Sequence, residues 1–212
     1  MSIKKSNATQ PIRDKKQVHA LINYYLHQGQ IRNYTLIIMG IYTALRISDL
    51  LRLTWGDVYN FNTKCIRQSI TITESKTNKT KIIALHENCI NALQRCLHTA
   101  QPTSRLHPLF ENKQSGQAIS RVQAYRIIRE ASEALELDMP ASCHSLRKTF
   151  GYFTYLAKIS PVLLMDLFNH SSFDITKRYL GITQDERDQV RSYSASTILI
   201  LLFFFVSFLG LF

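Results

Sequence analysis

The chain has 212 residues, of which 45% are hydrophobic and 19% charged, an ordinary globular composition that excludes a mostly disordered, collagen-like or wholly membrane-embedded protein. Its 26 basic and 15 acidic residues leave a net charge of +11, which points first to nucleic acid as partner, ahead of an anionic membrane surface or a merely solvated basic face. Cys65, Cys89, Cys96 and Cys143 form no C-x-x-C pair and follow no secretory signal, so they read as reduced thiols of a cytoplasmic protein.

Residues 1–13 are polar and basic and read as a flexible arm. From Asp14, the apolar positions Val18, Leu21, Ile22, Tyr25 and Leu26 recur at the spacing of one helical face and predict the first helix. An apolar run from Tyr34 to Leu45 leads through Arg46 into RISDLLRLTWGDV, where Ser48 and Asp49 are candidate caps of a short helix with inward leucines. Cys65 to Thr73 and Lys81 to Leu85 are β-prone runs around the polar ESKTNKT, a hairpin pattern with Lys76 at its tip. Helical patterns follow at Glu87 to Ala100, Arg121 to Leu137, Ser142 to Lys158, Pro161 to Asn169 and Asp174 to Leu180, with Ser160–Pro161 a favourable helix start. The expectation is one mainly α domain with a small antiparallel β-sheet (α+β), spanning residues 14–191.

From Ser192 to Phe212 there is no charged residue, and Ile198 to Phe212 reads ILILLFFFVSFLGLF. This run is shorter than the ~20 residues of a spanning helix unless the preceding SYSAST is added. Three readings of the tail at residues 192–212 stay open: packing on its own domain or a neighbouring protomer, a shifted or truncated reading frame, and a membrane anchor. Arg187 and Arg191 would keep the body on the cytoplasmic side even if the tail inserted.

The residues that carry chemistry form an ordered series: Arg46 in TALRISDLL, Lys76 in TESKTNK, His144 and Arg147 in HSLRKTF, His170 in LFNHSS and Tyr179 in ITKRYLGI. Taken singly, each has a plain alternative. Arg46 reads as a surface or ion-pairing arginine, Lys76 as a merely solvated lysine, the histidines as capping or part-buried groups, and Tyr179 as a packed ring. In this order and spacing they resemble the tyrosine recombinase or phage integrase family, over the whole catalytic domain. The resemblance implies a site-specific DNA recombinase, cytoplasmic and nucleoid-associated, that cleaves and rejoins strands through a 3′-phosphotyrosyl intermediate, with no metal and no high-energy cofactor.

The implied chemistry suits the residue types. Guanidinium groups neutralise the non-bridging phosphate oxygens by bidentate hydrogen bonds, the part expected of Arg46 and Arg147. A tyrosine hydroxyl attacks phosphorus and keeps the strand covalently attached, which falls to Tyr179. Lys76 would protonate the departing 5′ oxygen, His144 would help deprotonate Tyr179, and His170 would hydrogen-bond the phosphate. His144 and Arg147, three apart on a helix, share a face. Asp49, three positions after Arg46, matches the family's acidic residue that braces the site from behind.

Double-stranded DNA is the implied partner, with self-association into dimers and tetramers on DNA and with accessory DNA-bending proteins as a further class. The chain opens almost directly at the catalytic domain and so resembles the short fimbrial phase-variation invertases. Type IB topoisomerase-like relaxation and a degenerate, non-cleaving DNA-binding protein are the alternatives. Other chemistries lack a signature, since G-x-x-x-x-G-K-[ST], H-E-x-x-H and G-x-S-x-G are all missing, and Cys143 beside His144 diverges from it on a helix.

Overall fold

In the computed structural model, which describes residues 9–180, Asp14 starts helix α1 (Lys15–His27) by accepting the Lys16 backbone N–H at 2.7 Å. Leu21 and Tyr25 lie four apart on the predicted face and are buried, and the Tyr25 hydroxyl is satisfied by the Ile127 carbonyl. Helix α2 (Ile31–Tyr42) is apolar on most sides and becomes the central element, buried continuously from Asn33 to Ile41. A short α3 (Ile47–Leu50) and α4 (Trp55–Val58) follow, with Trp55, Leu50 and Leu53 in the core.

Among the described residues, three separate two-stranded antiparallel sheets replace the single one expected: β1 (Tyr59–Asn60) with β2 (Cys65–Ile66), β3 (Ser69–Thr73) with β4 (Thr80–Ala84), and β5 (Glu111–Asn112) with β6 (Gln117–Ala118). The β3–β4 pair is the predicted hairpin in shortened form, with Ser69 opposite Ala84 and Thr73 opposite Thr80, because Cys65–Ile66 of the expected first run pairs with β1 instead. Ile70 and Ile72 alternate inward from β3, which fixes its register against the core. The two other pairs have strands of two residues, too short to show alternation in a sequence.

Helices α5 (Glu87–Ala100), α6 (Arg121–Ala134), α7 (Cys143–Leu156), α8 (Pro161–Phe168) and α9 (Phe173–Leu180) complete the described residues. Helices α1, α5 and α7 pack around α2, and α8 and α9 pack on α7. The Ser120–Gln123 capping box starts α6, and Pro161 occupies the first turn of α8 as its fixed φ favours. Helix α6 stops at Ala134, short of the expected Leu137, because Glu136 turns left-handed at φ 48°. Asn169, at φ 54°, ends α8 in the same way.

Ser48 and Asp49 do not cap α3, contrary to expectation. The helix begins one residue earlier, with Arg46 in the extended N-cap position, so both fall inside it and the Asp49 carboxylate turns to the β3–β4 turn. Residues 9–13 of the expected arm run along α7, where Ile12 is buried and its N–H donates to Thr149 Oγ1 at 2.9 Å. The rest of the arm, residues 181–191 and the apolar tail at 192–212 lie outside the described residues. Among the described residues, no helix is long and apolar enough to cross a membrane.

Close approach between α7 and the α8–α9 pair depends on Gly151. A Cβ there would stand 2.9 Å from Cζ of the fully buried Phe168 ring and 3.4 Å from Leu180. An alanine inside a helix normally gains about 0.5–1 kcal/mol over glycine. Gly151→Ala is expected instead to lose about 1–3 kcal/mol through overpacking, read as a lower urea midpoint at unchanged m-value.

Candidate active site

The break between α2 and α3 positions the first arginine. Ala44 is left-handed at φ 53°, a conformation that costs a non-glycine residue about 1–2 kcal/mol. It turns the chain into the extended Arg46, and its carbonyl accepts a hydrogen bond from Arg147 Nη1. Arg46 Nη1 pairs with Glu74 Oε2 at 2.8 Å, and its Nη2 lies 3.5 Å from the Phe168 carbonyl. One turn along, Asp49 Oδ1 accepts the Ser75 N–H at 2.9 Å and hydroxyl at 2.6 Å, while Oδ2 is buried without a partner. Two consecutive residues of the hairpin turn, Glu74 and Ser75, are therefore pinned to α3, and Lys76 follows directly in the exposed tip.

The second arginine comes from α7. Arg147 is only 2% exposed, donates through Nη2 to the Phe168 carbonyl at 2.9 Å, and lies 4.8 Å from the centroid of the Phe168 ring and 6.0 Å from that of Tyr179. Its Nε has no partner. The Tyr179 ring, half-buried on α9, meets His170 edge to face at 4.5 Å and also contacts Phe168. His170 Nδ1 shares a hydrogen bond of 3.0 Å with the buried hydroxyl of Thr176.

The structure thus brings Arg46, Arg147, His170 and Tyr179 into one cluster around Phe168. His144 is exposed on the first turn of α7, close enough for Arg147 and Arg46 to act on its charge. Lys76 acts on His170 in the same way but hydrogen-bonds none of the cluster. Three residues of the cluster were missed in the sequence. Glu74 joins it through Arg46, and Asn169 donates to Glu74 Oε2 at 2.8 Å. Lys81 donates to the carbonyls of Asp166 and Leu167 at 3.1 and 2.7 Å, closing the C-terminal end of α8. An asparagine directly after an apolar helical run was a legible signal for the left-handed cap. Glu74 offered no signal beyond being the one acid in a basic turn.

The electrostatics follow from this crowding. Burial would raise the Glu74 carboxyl, but hydrogen bonds from Asn169, Arg46 and Thr77 and the charge of Arg46 outweigh it and hold the pKa at about 2. Burial, helped by Arg46, pulls Arg147 down to about 10, still protonated at neutral pH. Loss of hydration, reinforced by Arg147 and Arg46, brings His170 to about 4. His144 is lowered by partial desolvation and then by Arg147, Lys148 and Arg46. Both histidines are accordingly neutral at pH 7.

Residues 13–186 match the phage integrase family. The chain belongs to that family. It is 39% identical over 176 residues to the probable integrase/recombinase YoeC of Bacillus subtilis (strain 168), covering 83% of this chain and 91% of that protein. In fold, it is similar to the XerA recombinase crystal structure, with a TM-score of 0.70, 18% identity and 88% of this chain covered. It is also similar to the XerH site-specific recombinase in its post-cleavage complex with palindromic difH substrate, with a TM-score of 0.69, 19% identity and 91% covered. The chain spans 66% and 55% of those two structures. The phage integrase fold accounts for the mainly α architecture and its small sheets.

A depressed histidine pKa has a defined consequence for this integrase-family domain. The unfolded chain binds a proton at His170 near the ordinary value of 6.5, and the folded chain only near 4. Stability is therefore full above about 6.5 and declines as pH falls through that window. His170→Gln is expected to make the fall of Tm between pH 7 and 4.5 shallower, as followed by circular dichroism.

Proposed function

We propose that this chain is a tyrosine-type site-specific recombinase that breaks and rejoins DNA with Tyr179 as nucleophile. The observation that carries the reading is the packing of the Tyr179 ring against His170 beside the buried Arg147, within a domain of the phage integrase family. Tyr179 Oη attacks the scissile phosphorus, a 3′-phosphotyrosyl bond forms, and the P–O bond to the 5′ oxygen breaks. The step is reversible, because attack by a 5′-hydroxyl on the phosphotyrosine restores the diester without an external energy source.

Each neighbour has a part in that step. Arg46, the more open of the two guanidinium groups, contacts the non-bridging oxygens as charge builds, and the buried Arg147 adds its positive charge from beneath. Neutral His144 takes the Tyr179 proton. His170, with Nδ1 engaged by Thr176, keeps Nε2 for a phosphate oxygen. Lys76, one residue beyond the pinned part of the turn, delivers a proton to the leaving 5′ oxygen. Asp49 braces the turn through Ser75.

Double-stranded DNA fits the charge of +11, and affinity is expected to fall with rising salt. Exchange between two duplexes breaks four strands, and each protomer brings one nucleophile. Dimers on one site, tetramers across two and accessory DNA-bending proteins are the assembly we infer, in the cytoplasm with the nucleoid.

Expression with and without Tyr179→Phe, followed by denaturing lysis, capture of covalent adducts and sequencing of the attached ends, tests the reading. Adducts at a short repeated sequence that vanish in Tyr179→Phe support it. Folded, DNA-binding protein without adducts above the phenylalanine background overturns it in favour of a non-cleaving DNA binder. Relaxed plasmid without exchanged product would mark a topoisomerase-like activity. Lys76→Ala is expected to slow cleavage by about 10²–10⁴-fold. A 5′-bridging phosphorothiolate at the scissile bond should restore most of that loss, because a thiolate leaves without a proton.

A further inference from the structure

Glu74 has no part in the mechanism above, yet it is among the most buried charged groups near the site. Its side chain is 2% exposed in a turn whose neighbours Ser75, Lys76, Asn78 and Lys79 are all exposed. One oxygen, Oε2, accepts three hydrogen bonds of 2.8 Å, from Arg46 Nη1, Thr77 Oγ1 and Asn169 Nδ2. Lys81 Nζ approaches the other oxygen at 3.9 Å while it caps the end of α8. Arg46 is more open than its partner, at 17% against 2%. The carboxylate therefore stands on the protein side of the guanidinium and leaves the outer edge to solvent.

We propose that Glu74 is a positioning residue for strand cleavage: it orients Arg46 toward the phosphate and locks the Lys76-bearing hairpin to the turn that carries His170. The proposal rests on the reading of Arg46 as a phosphate contact. Its geometry links three segments distant in sequence. Residue 46 lies at the start of α3, residue 74 in the β3–β4 turn, and residue 169 at the end of α8, directly before His170. Without the carboxylate, Arg46 loses its only ion-pair partner among the described residues, and the Asn169 amide loses its shortest hydrogen bond. An arginine and a lysine that must meet one phosphate would then be ordered separately. A displacement of about 1 Å in such a clamp costs about 100-fold in rate.

The anion also bears on charge. It lies behind the guanidinium, so it sets direction without occupying the place of the phosphate. Ionised far below neutrality, it holds Arg46 across any working pH.

The test is single-turnover cleavage of a suicide duplex carrying the sequence recovered from the Tyr179 adducts, with either a normal or a methylphosphonate scissile group. The methylphosphonate carries no charge and relies far less on a guanidinium clamp. Glu74→Ala is expected to cleave the phosphodiester about 100-fold more slowly, with most of that loss absent on the methylphosphonate. Glu74→Gln, which keeps an acceptor for Arg46, is expected to recover part of the rate. Cleavage by Glu74→Ala at the wild-type rate, or equal slowing on both substrates that a 5′-bridging phosphorothiolate does not relieve, overturns the proposal. A second arm needs no DNA: the heteronuclear NOE of the Arg46 side chain should fall in Glu74→Ala and in Glu74→Gln to a lesser extent. An Arg46 as rigid as in the wild type overturns the proposal. Absence of adducts from the wild-type protein defeats the recombinase reading instead, and the Arg46 measurement then decides the hold of Glu74 alone.

Discussion

The site depends on one buried cation. A guanidinium withdrawn from water is costly unless its donors are met, and Arg147 meets most of this demand, all but its Nε, with backbone carbonyls and ring faces rather than a carboxylate. Both carbonyls lie where a helix gives way to a turn. Ala44, left-handed after α2, supplies one, and Phe168, just before the left-handed Asn169, supplies the other. The Phe168 carbonyl, in the last turn of α8, is released where the helix stops and is a natural partner for a cation, while the left-handed turn at Ala44 presents the other. One side chain on α7 thereby fixes the end of α2 against the end of α8. Arg46 and His170 sit next to those two ends.

The β3–β4 hairpin is held by a second set of contacts that leave its tip outside. Asp49 takes Ser75, Arg46 takes Glu74, and Lys81 takes the last carbonyls of α8. Lys76 comes one peptide after these fixed points. A flexible four-carbon chain on a fixed base can reach a phosphate without ordering the whole loop, which limits the entropy lost on binding. The same hairpin is thus both a wall of the site and the stalk of its exposed lysine.

The parts of this arrangement legible in the sequence were those with periodicity or a cap. The face of α1, the inward Ile70 and Ile72 of β3, and the Ser160–Pro161 start of α8 all obey local rules, and the structure has them. The short β1–β2 and β5–β6 pairs obey none strong enough to read, because two-residue strands owe their pairing to the core around them. At the site, the order of Arg46, Arg147, His170 and Tyr179 was legible through a family likeness, while the partners that hold them were not. A buried carboxylate in a polar turn is indistinguishable in sequence from a solvated one. Only the long-range meeting of residues 46, 74 and 169 makes Glu74 different. Asp49 shows the converse: a short side chain beside a helix start fits a cap by local rules, and a tertiary partner, Ser75, takes it instead.

Charge then links binding to chemistry. Cationic side chains, among them Arg46, Lys76, Lys81, Arg147 and Lys148, outnumber the carboxylates Asp49, Glu74 and Asp166 near the site, and that excess of positive charge is what a phosphodiester can fill. That excess also keeps His144 and His170 neutral, since Arg147 and Arg46 oppose protonation of both. On the proposed mechanism, an arriving phosphate cancels part of this field, and the proton affinity of His144 rises as a result. The base that must accept the Tyr179 proton is therefore weakest in the free protein and strengthened by the substrate itself. Activation of the nucleophile is tied to occupancy of the clamp by Coulomb interactions alone, with no conformational switch required.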